Sequence, residues 1–219
     1  MKIFATSDIH GDIRIIEQLR AVANKVDLVL YCGDLAEKVG TANSQLPDVM
    51  DFMTEFANLG VKCKFIRGNV DNFELNNKFY LGAPEKIKGE NFIPFEDILT
   101  TPFNTNREVG EEQIALDLAG MPYATDSIIV AHQPPFGHGD KLPNGTNIGS
   151  RSITEWIENA QPKMWLCGHI HEDYSVSKIG KTLVFNCASN KEKQTLRGWV
   201  IDTKALTYES VELGCLAMA

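Results

Sequence analysis

The sequence predicts an α/β layered fold, and three observations carry that expectation. Apolar strand-like runs alternate with helix-like segments through the first third of the 219-residue chain. The run Val26–Cys32 is almost continuously apolar, as in a strand buried on both faces. Roughly the last fifty residues read as short strands separated by tight turns.

In chain order, Lys2–Thr6 is a strand, and Asp12–Lys25 is a helix with Ile15, Ile16, Leu19 and Val22 at helical spacing. After the strand Val26–Cys32, Pro47–Leu59 is a second helix. Pro47 stands near its start, Val49, Phe52, Met53 and Phe56 share one face, and Gly60 ends it. Val61–Ile66 is a third strand, so the order β-α-β-α-β is consistent with right-handed parallel crossovers. Periodicity fades from Leu81 to Arg107, a stretch rich in Pro, Asn and Thr that reads as a small insertion, either a cap or a surface excursion. A helix at Glu111–Leu118 and a strand at Ser127–Ala131 follow. The polar loop Gly137–Gly149 then leads to a helix at Ser150–Asn159 and a strand at Met164–Cys167. The terminal strands are Tyr174–Ile179, Thr182–Asn186, Gly198–Asp202 and Tyr208–Leu213. Residues 1–219 are expected to form a single domain.

Composition narrows the function. A formal charge of −8 argues against long nucleic acid and anionic membranes as partners, although bound cations could reverse the field in a carboxylate site. No apolar run is long enough to span a bilayer. Ile3-Phe4-Ala5 follows Met1-Lys2 with no long apolar core or cleavage pattern, so no signal peptide is expected. The five cysteines are scattered without zinc-knuckle or redox spacing, which suits reduced thiols in a cytoplasmic protein. Gly180-Lys181-Thr182 lacks the earlier glycine of a phosphate-binding loop and reads as a hairpin turn.

Five clusters stand at the ends of strand-like runs: Asp8-Ile9-His10, Gly33-Asp34, Gly68-Asn69-Val70-Asp71, His132, and Gly168-His169-Ile170-His171. Each alone has a plainer reading, as a turn, a loop residue bonding its own backbone, or a satisfied core histidine. Together they hold four of the five histidines, and the carboxyl ends of adjacent strands form one rim in a layered α/β protein. Their oxygen and imidazole donors suit Mn, Fe, Zn or Co and are too rich in nitrogen for a calcium cage. They are too many for one tetrahedral ion, whereas two ions sharing a carboxylate would use them all.

In the order D-x-H, GD, GN-x-D, H, GH-x-H, these clusters resemble the calcineurin-like metallophosphoesterase superfamily over most of the chain. The resemblance implies a four-layer α/β/β/α sandwich, with two face-packed mixed β-sheets between helices. It implies that Asp8, His10 and His171 hold one divalent ion, that Asn69, His132 and His169 hold the other, and that Asp34 bridges them. Manganese is the first choice, with Fe, Zn, Co or Ni as alternatives. A hydroxide between the ions would then cleave a small phosphorylated substrate, with Asp34, Asn69 and His132 acting through the metals. Many relatives carry histidine between the Asn and Asp of GN-x-D, where it aids leaving-group protonation, and Val70 stands there instead. That favours a phosphodiesterase over a phosphomonoesterase or nucleotide pyrophosphatase. From another class, the rival is a non-catalytic scaffold of the same fold. Asp71 is expected to orient a ligand or a neighbouring histidine. The loop Gly137–Arg151 is expected to border the site; His138 and Lys141 read first as solvated loop residues and Arg151 as a structural residue opening a helix, with contact to a substrate phosphate or supply of the missing acid as the alternative, His138 being the candidate acid.

Overall fold

The computed structural model describes residues 1–36, 46–72, 78–122 and 125–214, with the side chains of 46–50 and 52 outside that description. The first half runs β1 (Lys2–Thr6), α1 (Ile13–Gln18), α2 (Arg20–Ala23), β2 (Leu28–Cys32), α3 (Leu46–Asn58), β3 (Lys62–Ile66), β4 (Glu85–Ile87), β5 (Glu90–Phe95), β6 (Ile98–Leu99) and β7 (Glu108–Val109). The second runs α4 (Glu111–Ala119), β8 (Ser127–Ala131), α5 (Arg151–Ala160), β9 (Met164–Cys167), β10 (Val176–Ile179), β11 (Thr182–Asn186), β12 (Leu196–Asp202) and β13 (Thr207–Leu213).

Two mixed sheets result. One has the order β13-β12-β1-β2-β3 and the other β10-β11-β9-β8-β5-β4, while β6 and β7 pair separately. Period-2 alternation turns these sheets into four layers. On β1 and β2, Ile3, Ala5, Leu28, Leu30 and Cys32 join Ile128, Val130, Met164 and Leu166 of β8 and β9 in the core between the sheets. The alternate residues Phe4, Val29 and Tyr31 face outward onto α1, α2 and α3, where Ile15, Ile16, Met53 and Phe56 are buried. Ile129, Ala131 and Trp165 face the other way onto Ile114 and Leu118 of α4 and Ile153 and Ile157 of α5. The fold is therefore the four-layer α/β/β/α sandwich expected.

Two differences from the sequence reading have causes in the structure. The expected helix Asp12–Lys25 is divided at Leu19, whose amide bonds the Ile16 carbonyl three residues back rather than four. Residues 85–95, read as part of an insertion, are integral strands of the second sheet, with β5 parallel to β8. Pro94 sits where β5 has run past the end of β4, so its missing N–H leaves no ladder bond unmade. Glu90 tolerates burial because Lys163 and Thr203 both bond its carboxylate at 2.7 Å. Residues 98–109, which take in the end of that stretch and the two residues after it, form the β6–β7 arm. On α3, Met53 and Phe56 are buried, whereas the Val49 and Phe52 side chains lie outside the described residues.

Gly180 turns the β10–β11 hairpin, with Ile179 opposite Thr182. Cys32, Cys63, Cys167 and Cys187 are free and buried, and Cys215 lies outside the described residues. No described helix is long and apolar enough to cross a membrane.

Candidate metal centre

β1, β2 and β3 of one sheet and β8 and β9 of the other end on the same rim, and the loop after each carries one cluster. The loops interlock through the backbone: the amides of Asp8 and His10 bond the carbonyls of Gly33 and Asp34, and Gly168 bonds His132. Asp8, His10, Asp34 and His169 all adopt left-handed backbone with φ between 49° and 71°. Such non-glycine conformations cost about 1–3 kcal/mol each and persist where surrounding structure enforces them, often at functional sites. The motif glycines make room for the carboxylates. A Cβ on Gly68 would strike the Asp34 carboxylate, and one on Gly168 would strike Ser7 and the Asp8 carboxylate.

All seven side chains converge. Asp8 Oδ1 lies 3.0 Å from His171 Nε2 and 3.9 Å from His10 Nε2, and the two imidazole nitrogens are 3.3 Å apart. Asp34 Oδ2 lies 3.4 Å from His132 Nε2 and 3.8 Å from His10 Nε2. Asn69 Oδ1 stands 3.2 Å from His132 Nε2, and the His169 ring packs edge-on against His132 at 5.1 Å between centroids. Two overlapping groups, Asp8–His10–His171 and Asp8–Asp34–His132, place their donor atoms within 4.8 Å of one another. Asp8 thus reaches both groups, and Asp34 also stands between His10 and His132.

The donors fit divalent transition ions. His132 Nδ1 donates to the Cys32 carbonyl at 2.8 Å, and His10 Nδ1 to the Ala36 carbonyl at 3.3 Å, which leaves each Nε2 aimed inward, where a metal would displace any proton on it. The second oxygen of Asp8 accepts from the His169 amide at 3.0 Å, and Asp34 Oδ1 accepts from the Val70 amide at 3.0 Å, so each carboxylate keeps an oxygen for the centre. Burial would raise Asp8, but His171, His132 and His10 hold it well below the usual carboxylate range. Asp34 is likewise held down against its burial, chiefly by His132. Burial would lower His132, yet Asp34 and Asp8 push it up to about 10. Burial and then His132 push His169 down to about 4. Two ionised carboxylates are therefore buried among imidazoles, an arrangement that a divalent cation would neutralise.

The supporting residues are less predictable. Asp71 orients loops rather than a histidine, its two oxygens accepting from the Ala36 and Gly68 amides at 2.7 Å each. Thr105 Oγ1 accepts from Asn69 Nδ2 at 3.0 Å, turning Asn69 Oδ1 toward His132, and Asn106 bonds the Asn69 carbonyl. The Arg107 guanidinium donates to the Gly68 and Asp71 carbonyls. These three residues come from the β6–β7 arm, more than thirty residues along the chain, and no local pattern marks them. His138, the candidate acid, hydrogen-bonds Ser177 of β10 at 2.9 Å instead of joining the converging group. Arg151 stacks on Phe136 at 3.7 Å and Lys141 is exposed, so neither cation joins that group.

Glu108 organises the arm by accepting from the amides and hydroxyls of Thr101 and Thr105. Desolvation would raise its carboxyl, but these bonds push it down to about 2. Because the folded value lies below the unfolded value of about 4.3, its stabilisation is complete above that pH and lost toward pH 2. Glu108→Gln should therefore lower the urea midpoint at pH 7, with the gap to wild type narrowing by pH 3. An equal gap at both pH values would refute this role.

Comparison with known proteins adds independent findings. A profile of the calcineurin-like phosphoesterase superfamily domain matches residues 1–204. An uncharacterized protein of Methanocaldococcus jannaschii is 32% identical over 200 residues, covering 85% of this chain and 87% of that protein. A solved structure described as a novel archaeal phosphodiesterase has a TM-score of 0.54 at 16% identity, covering 97% of this chain and 100% of that one. A dimetal phosphatase from Danio rerio has a TM-score of 0.55 at 10% identity, covering 98% and 99%. At these identities the two structures bear on the fold alone.

Proposed function

Since the chain belongs to the calcineurin-like phosphoesterase superfamily, we propose that it is a phosphodiesterase working with two divalent ions, manganese by preference. The observation that carries this reading is the meeting of Asp8, His10, Asp34, His132 and His171 donor atoms on the rim shared by the two sheets. Ions held there would lower the pKa of bound water and neutralise charge building on the phosphoryl oxygens. Asp8, His10 and His171 would hold one ion, and Asn69, His132 and His169 the other. Asp34, whose Oδ2 stands between His10 and His132, would serve both ions in this scheme.

The remaining residues position these ligands. Cys32 and Ala36 carbonyls orient His132 and His10, Thr105 orients Asn69, and Asp71 ties the Asp34 loop to the Asn69 loop. Val70 contributes its amide to Asp34, but its side chain has no proton to give a leaving group. This favours esters whose leaving oxygen departs without protonation and disfavours alkyl monoesters.

The test is metal content per chain together with initial rates on bis(p-nitrophenyl) phosphate and p-nitrophenyl phosphate in added manganese. About two ions per chain and faster diester turnover are expected. Faster monoester turnover would move the reading to a phosphomonoesterase, and no bound metal with no turnover would move it to a scaffold. Val70→His should raise turnover of an alkyl phosphate monoester by about a hundredfold, the lower end of general acid catalysis. An unchanged rate would show that position 70 does not face the leaving group.

A further inference from the structure

A groove of about 580 Å³ opens beside His169 and His171. That is within the roughly 300–1,000 Å³ usual for small-molecule sites. Its walls come from two loops. Leu99, Pro102 and Phe103 belong to the β6–β7 arm, and Leu142 and Ile148 to the loop after β8, with Ile170 between the ligand histidines. Phe103 is 80% exposed and Ile148 38% exposed, so large apolar side chains stand open to water on both walls. Apart from the two histidines, Glu172 is the one ionisable residue among the described residues lining it, and none is Lys or Arg.

Both walls are held in place before anything binds. Glu108 fastens the turn of the arm, and Gln133 Oε1 accepts from the Leu99 amide at 3.0 Å. The same arm holds Asn69 through Thr105. On the facing loop, Leu142 and Thr146 are bonded through their backbones, and buried Asp140 accepts from the Gly149 amide at 2.7 Å. His171 and Glu172 also line a second cavity of about 310 Å³, which is polar and walled further by Asn190, Glu192, Lys193 and Arg197. The two cavities therefore differ in chemistry.

We propose that the groove receives an uncharged, apolar ester group of the substrate, so that the protein acts on unsymmetrical phosphodiesters bearing an alkyl or aryl substituent on one side. This deepens the phosphodiesterase reading and rests on it. The groove is continuous with the ligand histidines, so a phosphoryl group at the centre would project one ester substituent along it. Desolvating Phe103, Ile148 and their neighbours favours a substituent without charge, because a second phosphate would meet apolar walls and Glu172 with no cation. The polar cavity is left for the other substituent.

The test is calorimetric binding of hexyl methyl phosphate and dimethyl phosphate to the manganese-loaded chain, in wild type and in Phe103→Ser and Ile148→Ser. Burial of several methylenes should make the hexyl ester bind roughly tenfold tighter or more in wild type. In the variants the ratio between the two esters should fall toward one. A ratio near one in wild type, a ratio that survives both substitutions, or failure of both esters to bind overturns the proposal. Binding separates it from catalysis. A large ratio without hydrolysis of bis(p-nitrophenyl) phosphate upholds the groove and sinks the enzyme reading. Hydrolysis with a ratio near one does the reverse.

Discussion

Asp34→Asn is expected to lower hydrolysis of bis(p-nitrophenyl) phosphate by about a hundred- to a thousandfold and to reduce the metal content below two ions per chain. Asp34 Oδ2 stands 3.8 Å from His10 Nε2 and 3.4 Å from His132 Nε2, the imidazoles assigned to different ions. A neutral amide there keeps the size of the side chain but removes the charge that offsets two cations. Metal-based stabilisation of developing charge is worth several kcal/mol, and each 1.36 kcal/mol is tenfold in rate. The substitution also weakens the pairing that holds His132 charged in the metal-free chain. Circular dichroism of the variant must therefore match wild type before the rate is read. Asp8 gives the comparison, since its Oδ1 also faces both groups. If Asp8→Asn removes both ions while Asp34→Asn keeps them and the wild-type rate, Asp8 is the bridge and the assignment of Asp34 fails.

The convergence of the seven candidate residues was legible because each sits one to four residues past an apolar run, and the architecture turns that sequence position into a place on one rim. His169 and His171 follow β9, and His132 follows β8 next to it in the same sheet. The sheets themselves were legible wherever the apolar run was unbroken, as in β1, β2, β8 and β9. β5 was not. Glu90, Asn91 and Pro94 interrupt its pattern, and the partners that make them tolerable, Lys163, Thr203 and the early end of β4, lie elsewhere in the chain.

His138 shows that nearness in sequence is not nearness in space. It is near His132 in sequence, but Gly137 and Gly139 take positive φ on either side of it, and the side chain lands against β10. The apolar groove was also hidden. Leu99, Phe103, Leu142 and Ile148 come from irregular segments with no period to read, and only tertiary structure brings them into one wall pair.

Saturating manganese is expected to raise the melting temperature of the metal-stripped chain by about 10–20 °C. Without ions, the fold must bury Asp8 and Asp34 together, with imidazoles as their charged partners, and must hold four of the converging residues in left-handed backbone. The interlocked amides of Asp8, His10, His169 and Val70 keep that arrangement formed, so the donors need little reorganisation when ions bind. An ion at a hundred times its dissociation constant stabilises the folded state by about 2.7 kcal/mol, and two independent sites by about twice that. For a chain of this size each kcal/mol shifts the midpoint by about 2–4 °C. Thermal denaturation after chelation, repeated with manganese, magnesium and calcium, checks both size and selectivity. Calcium should give the smallest shift, because a histidine-rich donor set suits it poorly. A shift of less than about 2 °C with every ion would mean that the converging carboxylates and histidines form a self-neutralised cluster rather than a metal centre.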